Sequence, residues 1–228
     1  MPYELLAREF DLETADTQMY VVNDFRACLI TRYDRIARSP VQRLHQEDLC
    51  QALGVSHKLK YERDQGPTFA HVYACTEAVS QHLPEDLERL VKWLIFNVIV
   101  GNCDAHAKNL SYLRGANGDW RLTPHYDLVS TRVYERVSKN LAMTIGGAED
   151  SGTVTGTHWR RLAAEIKFGS ALLLKFVRAM AESAPEKYRV VSAKFADQYG
   201  DSPIVQPIAK VIQVQSRAQI LTAKPNQI

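Results

Sequence analysis

The chain opens on a short amphipathic stretch, Tyr3 to Phe10, with Leu5, Leu6 and Phe10 as apolar contacts at helical spacing. Thr17 to Val22 and Phe25 to Thr31 are rich in β-formers and flank Asn23-Asp24. That pattern predicts a hairpin, although Asn-Asp supports a tight turn less well than Asn-Gly. Gln46 to Leu53 reads as a helix closed by Gly54, since glycine accepts the backbone conformation just past a helix end. Lys60 to Pro67 carries a strong turn signal. The clearest element starts at Pro84, a residue suited to a first helical turn. Leu87, Leu90, Val91, Leu94, Ile95, Val98 and Ile99 then form a stripe wide enough for a buried central helix, which ends at Gly101. A polar loop from Asn102 to Asn109 follows at once. Leu110 to Leu113 and Trp120 to Leu122 read as short strands around the turn Gly115 to Asp119, with Thr123-Pro124-His125-Tyr126-Asp127 beyond them. Helical spacing returns at Trp159 to Phe168, Ala171 to Ser183, Glu186 to Tyr199 and Pro207 to Ala223. No repeat, linker or low-complexity run divides the chain, so the expected class is α+β and mostly helical: a β-hairpin fragment leading into a helical body.

Composition narrows the setting. Hydrophobic residues at 46% and charged ones at 24% are the balance of a soluble globular protein. The formal net charge is only +2 and no broad basic stripe is present, so direct nucleic-acid binding is not expected. The four cysteines lack any C-x-x-C spacing, which fits a reducing, cytoplasmic setting better than a disulfide framework or a zinc knuckle. The first ten residues carry charges where a signal peptide needs an apolar core. The stretch Leu87 to Val100 is interrupted by Glu88, Arg89, Lys92 and Asn97, so no membrane span is expected.

The informative chemistry lies at Asp104-Ala-His106-Ala-Lys108-Asn109, followed by the hairpin and then Asp127. A hairpin returns on itself, so Asn109 and Asp127 should meet at its open end. An amide oxygen and a carboxylate are hard ligands suited to Mg²⁺, which takes its other ligands from water and phosphate. Asp104, on the loop before, would face the same place and accept a hydrogen bond from an attacking hydroxyl. Protein kinases divide these roles in the same way. Spacing alone does not separate such a site from a structural loop, because Asp, Asn and His also favour loops by bonding to nearby backbone.

Asp-Ala-His-Ala-Lys-Asn-Leu-Ser at 104–111 and Arg-Leu-Thr-Pro-His-Tyr-Asp at 121–127 resemble the C-terminal kinase domain of the HipA-like toxins, bacterial serine/threonine kinases of toxin–antitoxin systems. Leu29 to Arg35 is similar to the family's hinge segment, and Arg43 to Gly54 follows the family pattern almost residue for residue. Lys60-Tyr61-Glu62, Gly66-Pro67 and Leu141 to Gly147 extend the likeness, which runs from about Tyr3 to at least Gly147. The resemblance implies a protein-kinase-like fold, with residues 1–35 as a remnant of the N-lobe and hinge and 36–228 as the helical C-lobe. It implies ATP and Mg²⁺ as cofactors, Asp104 as catalytic base, and Asn109 and Asp127 as metal ligands. His106 and Lys108 would lie near the phosphates, Thr31, Arg32 and Tyr33 beside adenine, and Asp34 within reach of the ribose. From the residues alone, Tyr33 could equally be a core-edge aromatic and Asp34 an ion-pair partner of its flanking arginines. The partners implied are a protein substrate, which in the family is an aminoacyl-tRNA synthetase, and an antitoxin with a helix-turn-helix fold.

Two departures stand out. The chain contains no G-x-G-x-x-G and no Walker-type motif, and the resemblance begins after the family's phosphate loop and nucleotide-contacting lysine. Gln65 replaces a glycine of the family's Gly-Gly-Pro turn. Three readings therefore stay open: a kinase completed by a separate chain that supplies the N-lobe, a non-catalytic remnant or regulatory binding module, and a metal-dependent phosphohydrolase. The polypeptide alone is expected to show little or no kinase activity.

Overall fold

The computed structural model describes residues 2–23 and 25–223. It begins with α1 (Pro2–Arg8), whose Leu6 and Ala7 are fully buried. The expected hairpin forms from β1 (Thr17–Val22) and β2 (Phe25–Ile30), antiparallel from Thr17↔Ile30 to Val22↔Phe25. Asp24 of the expected Asn23-Asp24 turn lies outside the described residues. A small ribbon of β3 (Arg35–Ile36) and β4 (Gln42–Arg43) follows.

The helix expected over Gln46 to Leu53 is only half right. Gln46–Asp48 is a strand, β5, and helix α2 is confined to Leu49–Ala52. Strand pairing wins over helical propensity because Gln46, Glu47 and Asp48 find a ladder on Leu113, Tyr112 and Ser111. The switch is made at Asp48, whose carboxylate accepts from the Gln51 backbone N–H while the Gln51 side chain accepts from the Asp48 N–H. Gly54 closes the helix at φ 65°, as its position predicts.

Helix α3 (Phe69–Val79) carries no clear periodic signal, and the pattern left it unassigned. It is anchored by Thr68 and His71, each bonding the other's backbone N–H, and buries Phe69 and Val72. Helix α4 (Leu83–Val100) is the expected central helix, and its last turns are buried on every side. It stops at Gly101, φ 69°, where a Cβ would stand 2.7 Å from the Val211 side chain, so glycine is required for space as well as for conformation. Strands β6 (Ser111–Arg114) and β7 (Trp120–Leu122) join β5 in an antiparallel sheet of order β5-β6-β7. A last pair, β8 (Asn140–Ile145) and β9 (Ala148–Asp150), precedes α5 (Gly156–Glu165).

The two helices expected over 171–183 and 186–199 are one, α6 (Ser170–Tyr199), with Pro185 inside it. An interior proline costs roughly 3 kcal/mol through its missing N–H and its clash with the preceding turn. The apolar stripe nevertheless runs through without a break: Leu173, Val177, Met180, Ala181 and Ala184 lie before the proline, Tyr188, Val191 and Phe195 after it, all buried. Each large side chain is worth about 1.5–3 kcal/mol of burial, so continuity outweighs the proline. Helix α7 (Val205–Thr222) packs back along α6. The core is one contiguous cluster in which the buried positions of α4 pack with Leu6, Phe69, Trp159, Leu173, Val177 and Ile212. Among the described residues no helix is long and apolar enough to cross a membrane, and all four cysteines are free.

Candidate active site

The loop after α4 is held from the end of that helix. Asn97 Nδ2 donates to the Trp93 carbonyl at 2.8 Å, and Asn97 Oδ1 accepts from Asn102 Nδ2 at 2.8 Å. Asn102 Oδ1 in turn accepts from the Asp104 backbone N–H at 3.1 Å, and the Cys103 N–H donates to Thr131 Oγ1 at 2.8 Å. A buried amide pair thus carries the rigidity of α4 into the first acidic residue. Asp104 is half-buried and lines a cavity of about 230 Å³ with Tyr61, Arg63, Ser138 and Asn140. Its Oδ1 accepts from the Tyr61 hydroxyl at 2.7 Å; burial first, and then this bond to the carboxylate, push the Tyr61 phenol up to about 12.

Asn109 and Asp127 do meet at the open end of the β6–β7 hairpin. Asn109 Nδ2 donates to Asp127 Oδ2, and Asn109 Oδ1 accepts from the His106 backbone N–H at 3.0 Å. Asn109 is buried and Asp127 exposed. Asp127 adopts φ 57°, a left-handed conformation that costs a non-glycine residue about 1 kcal/mol or more unless its surroundings impose it. Here they do. The Tyr126 hydroxyl donates to the Lys108 carbonyl and lies within bonding distance of Ser111 Oγ, both at 2.7 Å. The His125 N–H donates to the Glu13 carbonyl at 2.8 Å, and the Ala15 N–H donates to the His125 carbonyl at 2.9 Å.

His106 lies between these acids. Lys60 Nζ is 2.8 Å from His106 Nε2, and because an ammonium only donates, Nε2 is the acceptor and Nδ1 carries the ring proton. Burial, and then the Lys60 charge, hold the imidazole below its ordinary pKa, so it is neutral at pH 7.

The hinge-like residues reach this site through an aromatic pair. Tyr33 and Tyr126 stack with centroids 6.4 Å apart and planes 29° apart, which sets Tyr33 beside the residue preceding Asp127. Thr31 and Arg32 are exposed next to it, and the Thr31 N–H donates to the Asp16 carbonyl at 2.8 Å. Asp34 is buried, with one oxygen bonded by Arg32 Nε at 2.7 Å and the other by Arg32 Nη2 at 2.6 Å and by Arg35. In this conformation Asp34 is an ion-pair residue, and the Arg32 hydrogen bonds hold its carboxyl below the usual range. Lys108 is half-exposed on the short turn Ala107–Asn109. Sequence reasoning assigned no site role to Lys60, Tyr61, Gln46 or Tyr126. They approach through pairings 18 to 65 residues apart, which no local spacing encodes.

The donor set is suited to Mg²⁺. The two candidate ligands, a carboxylate and an amide oxygen, are of the oxygen type that Mg²⁺ takes, and among the described residues no group of three or more His, Cys, Asp or Glu side chains gathers. Asp127 is exposed and presents a carboxylate oxygen that Asn109 does not use. Asn109 turns its amide nitrogen to Asp127 and its oxygen to His106, so ligation through Asn109 requires its amide to turn over.

A helical body with small antiparallel sheets makes this an α+β protein of kinase-like fold. Residues 2–188 match the model of the HipA-like C-terminal domain, and the chain belongs to that family. It is 34% identical over 218 residues to Y4mE of Sinorhizobium fredii, covering 95% of this chain and 51% of that protein. It is 33% identical over 163 residues to the serine/threonine-protein kinase toxin HipA of Shewanella oneidensis, covering 65% of this chain and 37% of that protein. The chain therefore spans about half, or less, of the length of these relatives. In fold it resembles HipA of Shewanella oneidensis, solved in complex with HipB and its operator DNA, with a TM-score of 0.83 and 24% identity over 96% of this chain and 54% of that one. It also resembles the Helicobacter pylori kinase CtkA, with a TM-score of 0.56 and 10% identity over 97% of this chain and 83% of that one.

Proposed function

We propose that this chain is the Mg²⁺-ATP-binding catalytic lobe of a HipA-type serine/threonine protein kinase, which transfers the γ-phosphate of ATP to a protein hydroxyl. The observation that carries the reading is that Asn109 bonds both the His106 N–H and Asp127, with Asp104 and Asp127 both close enough to act on the His106 ring, which brings the loop after α4 and the end of the β6–β7 hairpin together. In this reading Asp127 and Asn109 hold Mg²⁺, which when bound offsets charge on the phosphates. Asp104 accepts the proton of the attacking hydroxyl, and the neutral His106 presents Nε2 to the Lys60 ammonium. Thr31, Arg32 and Tyr33 flank the adenine, and Lys108 lies toward the phosphates. An antitoxin is the partner this reading implies.

Transfer also needs the phosphates gripped and oriented, and the chain has no glycine-rich phosphate motif. Losing such contacts removes several kcal/mol of transition-state stabilisation, ~10³-fold or more in rate. The isolated polypeptide is therefore expected to bind Mg²⁺-ATP yet transfer phosphate poorly. Calorimetry with Mg²⁺-ATP should show binding by the wild type and its loss in Asp127→Asn. Absence of binding in both would favour a non-catalytic module, and robust phosphorylation of a protein by the purified chain, abolished in Asp104→Ala, would overturn the expectation of low activity.

A further inference from the structure

Lys60 is a half-buried cation whose neighbours leave its charge unanswered. Its ammonium contacts His106 Nε2, a neutral nitrogen, at 2.8 Å and lies 4.9 Å from the Tyr61 ring centroid, and among the described residues no carboxylate comes within ion-pair distance. Taking an ammonium partly out of water without a counter-charge is unfavourable, so such a group persists where something else supplies the anion.

The segment carrying Lys60 is held firmly. Glu62 accepts from the Thr144 N–H at 2.6 Å and from the Thr144 hydroxyl at 2.9 Å, and the Gly66 N–H donates to the Tyr61 carbonyl at 3.0 Å. Lys108 adds a second cation, partly exposed on the Ala107–Asn109 turn that starts directly after His106. The group that Lys60 contacts is the His106 ring, which is 6% exposed. Lys60 thus contacts a ring that also feels Asp104 and Asp127, and Lys108 stands two residues along the same turn.

We infer that Lys60, with Lys108, forms a polyphosphate clamp on the helical side of the cleft, gripping the phosphate chain of the bound nucleotide from the face opposite a glycine-rich loop. The inference rests on the nucleotide-binding reading above and adds to it a residue that supplies phosphate contacts from this chain alone. An ammonium suits this role because it is a compact point charge with three donors, of which His106 uses one.

The test is calorimetric titration of the full chain with metal-free tripolyphosphate, adenosine and Mg²⁺-ATP, for wild type, Lys60→Met, Lys60→Arg and Lys108→Met, with thermal unfolding as the folding check. Lys60→Met should weaken tripolyphosphate and Mg²⁺-ATP at least tenfold and leave adenosine unchanged. Lys60→Arg should retain most of the affinity, and Lys108→Met should lose a smaller factor, which carries the test if Lys60→Met does not fold. Tripolyphosphate binding that is absent in the wild type, or equally tight in the folded lysine variants, overturns the clamp. Equal Mg²⁺-ATP binding in wild type and Lys60→Met would remove the clamp and leave the nucleotide site standing. Lysine-dependent tripolyphosphate binding without adenosine or Mg²⁺-ATP binding would keep the clamp and remove the nucleotide site.

Discussion

Asp86 offers a sharp test of how the central helix positions the site. It lies in the first turn of α4 and is fully buried. Its carboxylate accepts from Ser80 Oγ at 2.6 Å, from the Leu122 backbone N–H at 2.7 Å and from Arg89 Nη1 at 3.1 Å. The middle bond ties α4 to the end of β7, the strand that leads to Asp127. Asp86→Ala strands the Leu122 N–H in the interior, a loss of about 1–3 kcal/mol for one buried donor. It also removes one anionic partner of Arg89, which keeps Glu13 at 3.2 Å and the carbonyls of Leu122 and Thr123 at 3.1 and 2.9 Å. Breaking a buried pair typically costs about 3–5 kcal/mol, and Arg89's remaining partners set the expectation near 3. Asp86→Asn should lose roughly half as much, because an amide oxygen still accepts from Leu122 while its NH₂ faces the guanidinium. Urea unfolding followed by circular dichroism, with the slope unchanged, reads both values as midpoint shifts. A loss below ~1 kcal/mol for Asp86→Ala, or equal losses for the two variants, would refute this assignment of the bonds.

Two further outcomes follow from other parts of the fold. His125 is buried against Trp93, with neither ring nitrogen partnered among the described residues, and burial holds its pKa well below the ordinary value; His106 is lowered as well. The unfolded chain takes up protons on both as pH falls through about 6.5 and the folded chain takes up fewer, so stability present above pH ~7 should decline as pH falls from 7 toward 5, by at most ~1.4 kcal/mol per pH unit for each histidine. His125→Phe should flatten the dependence of melting temperature on pH, and an unchanged slope would count against the assignment. Gly66 is packed so that a Cβ would overlap the Leu59 and Tyr61 carbonyl oxygens, so Gly66→Ala should displace the 59–66 segment and lower the melting temperature by several degrees. Gln65→Gly, at φ 65°, should raise it slightly, and differential scanning fluorimetry of the two variants reads both signs.

Much of this protein was legible in its sequence wherever one segment suffices to decide a structure. The stripe from Leu87 to Ile99 required a buried helix, Gly101 required its end, and the hairpin between Asn109 and Asp127 required those two residues to meet. The spacing of Asp104, His106 and Asn109 sets their order on one loop whatever else the chain does. Tertiary structure decided the rest. Gln46 to Asp48 became a strand because Ser111 to Leu113, far along the chain, offered unpaired backbone groups. Pro185 stayed inside a helix because neighbouring helices buried the stripe on both of its sides. Lys60 and Tyr61, which look like ordinary loop residues, became the direct partners of His106 and Asp104. Hydrogen bonding and burial between distant segments carry no local periodicity, so only the folded chain discloses which cation meets which acid.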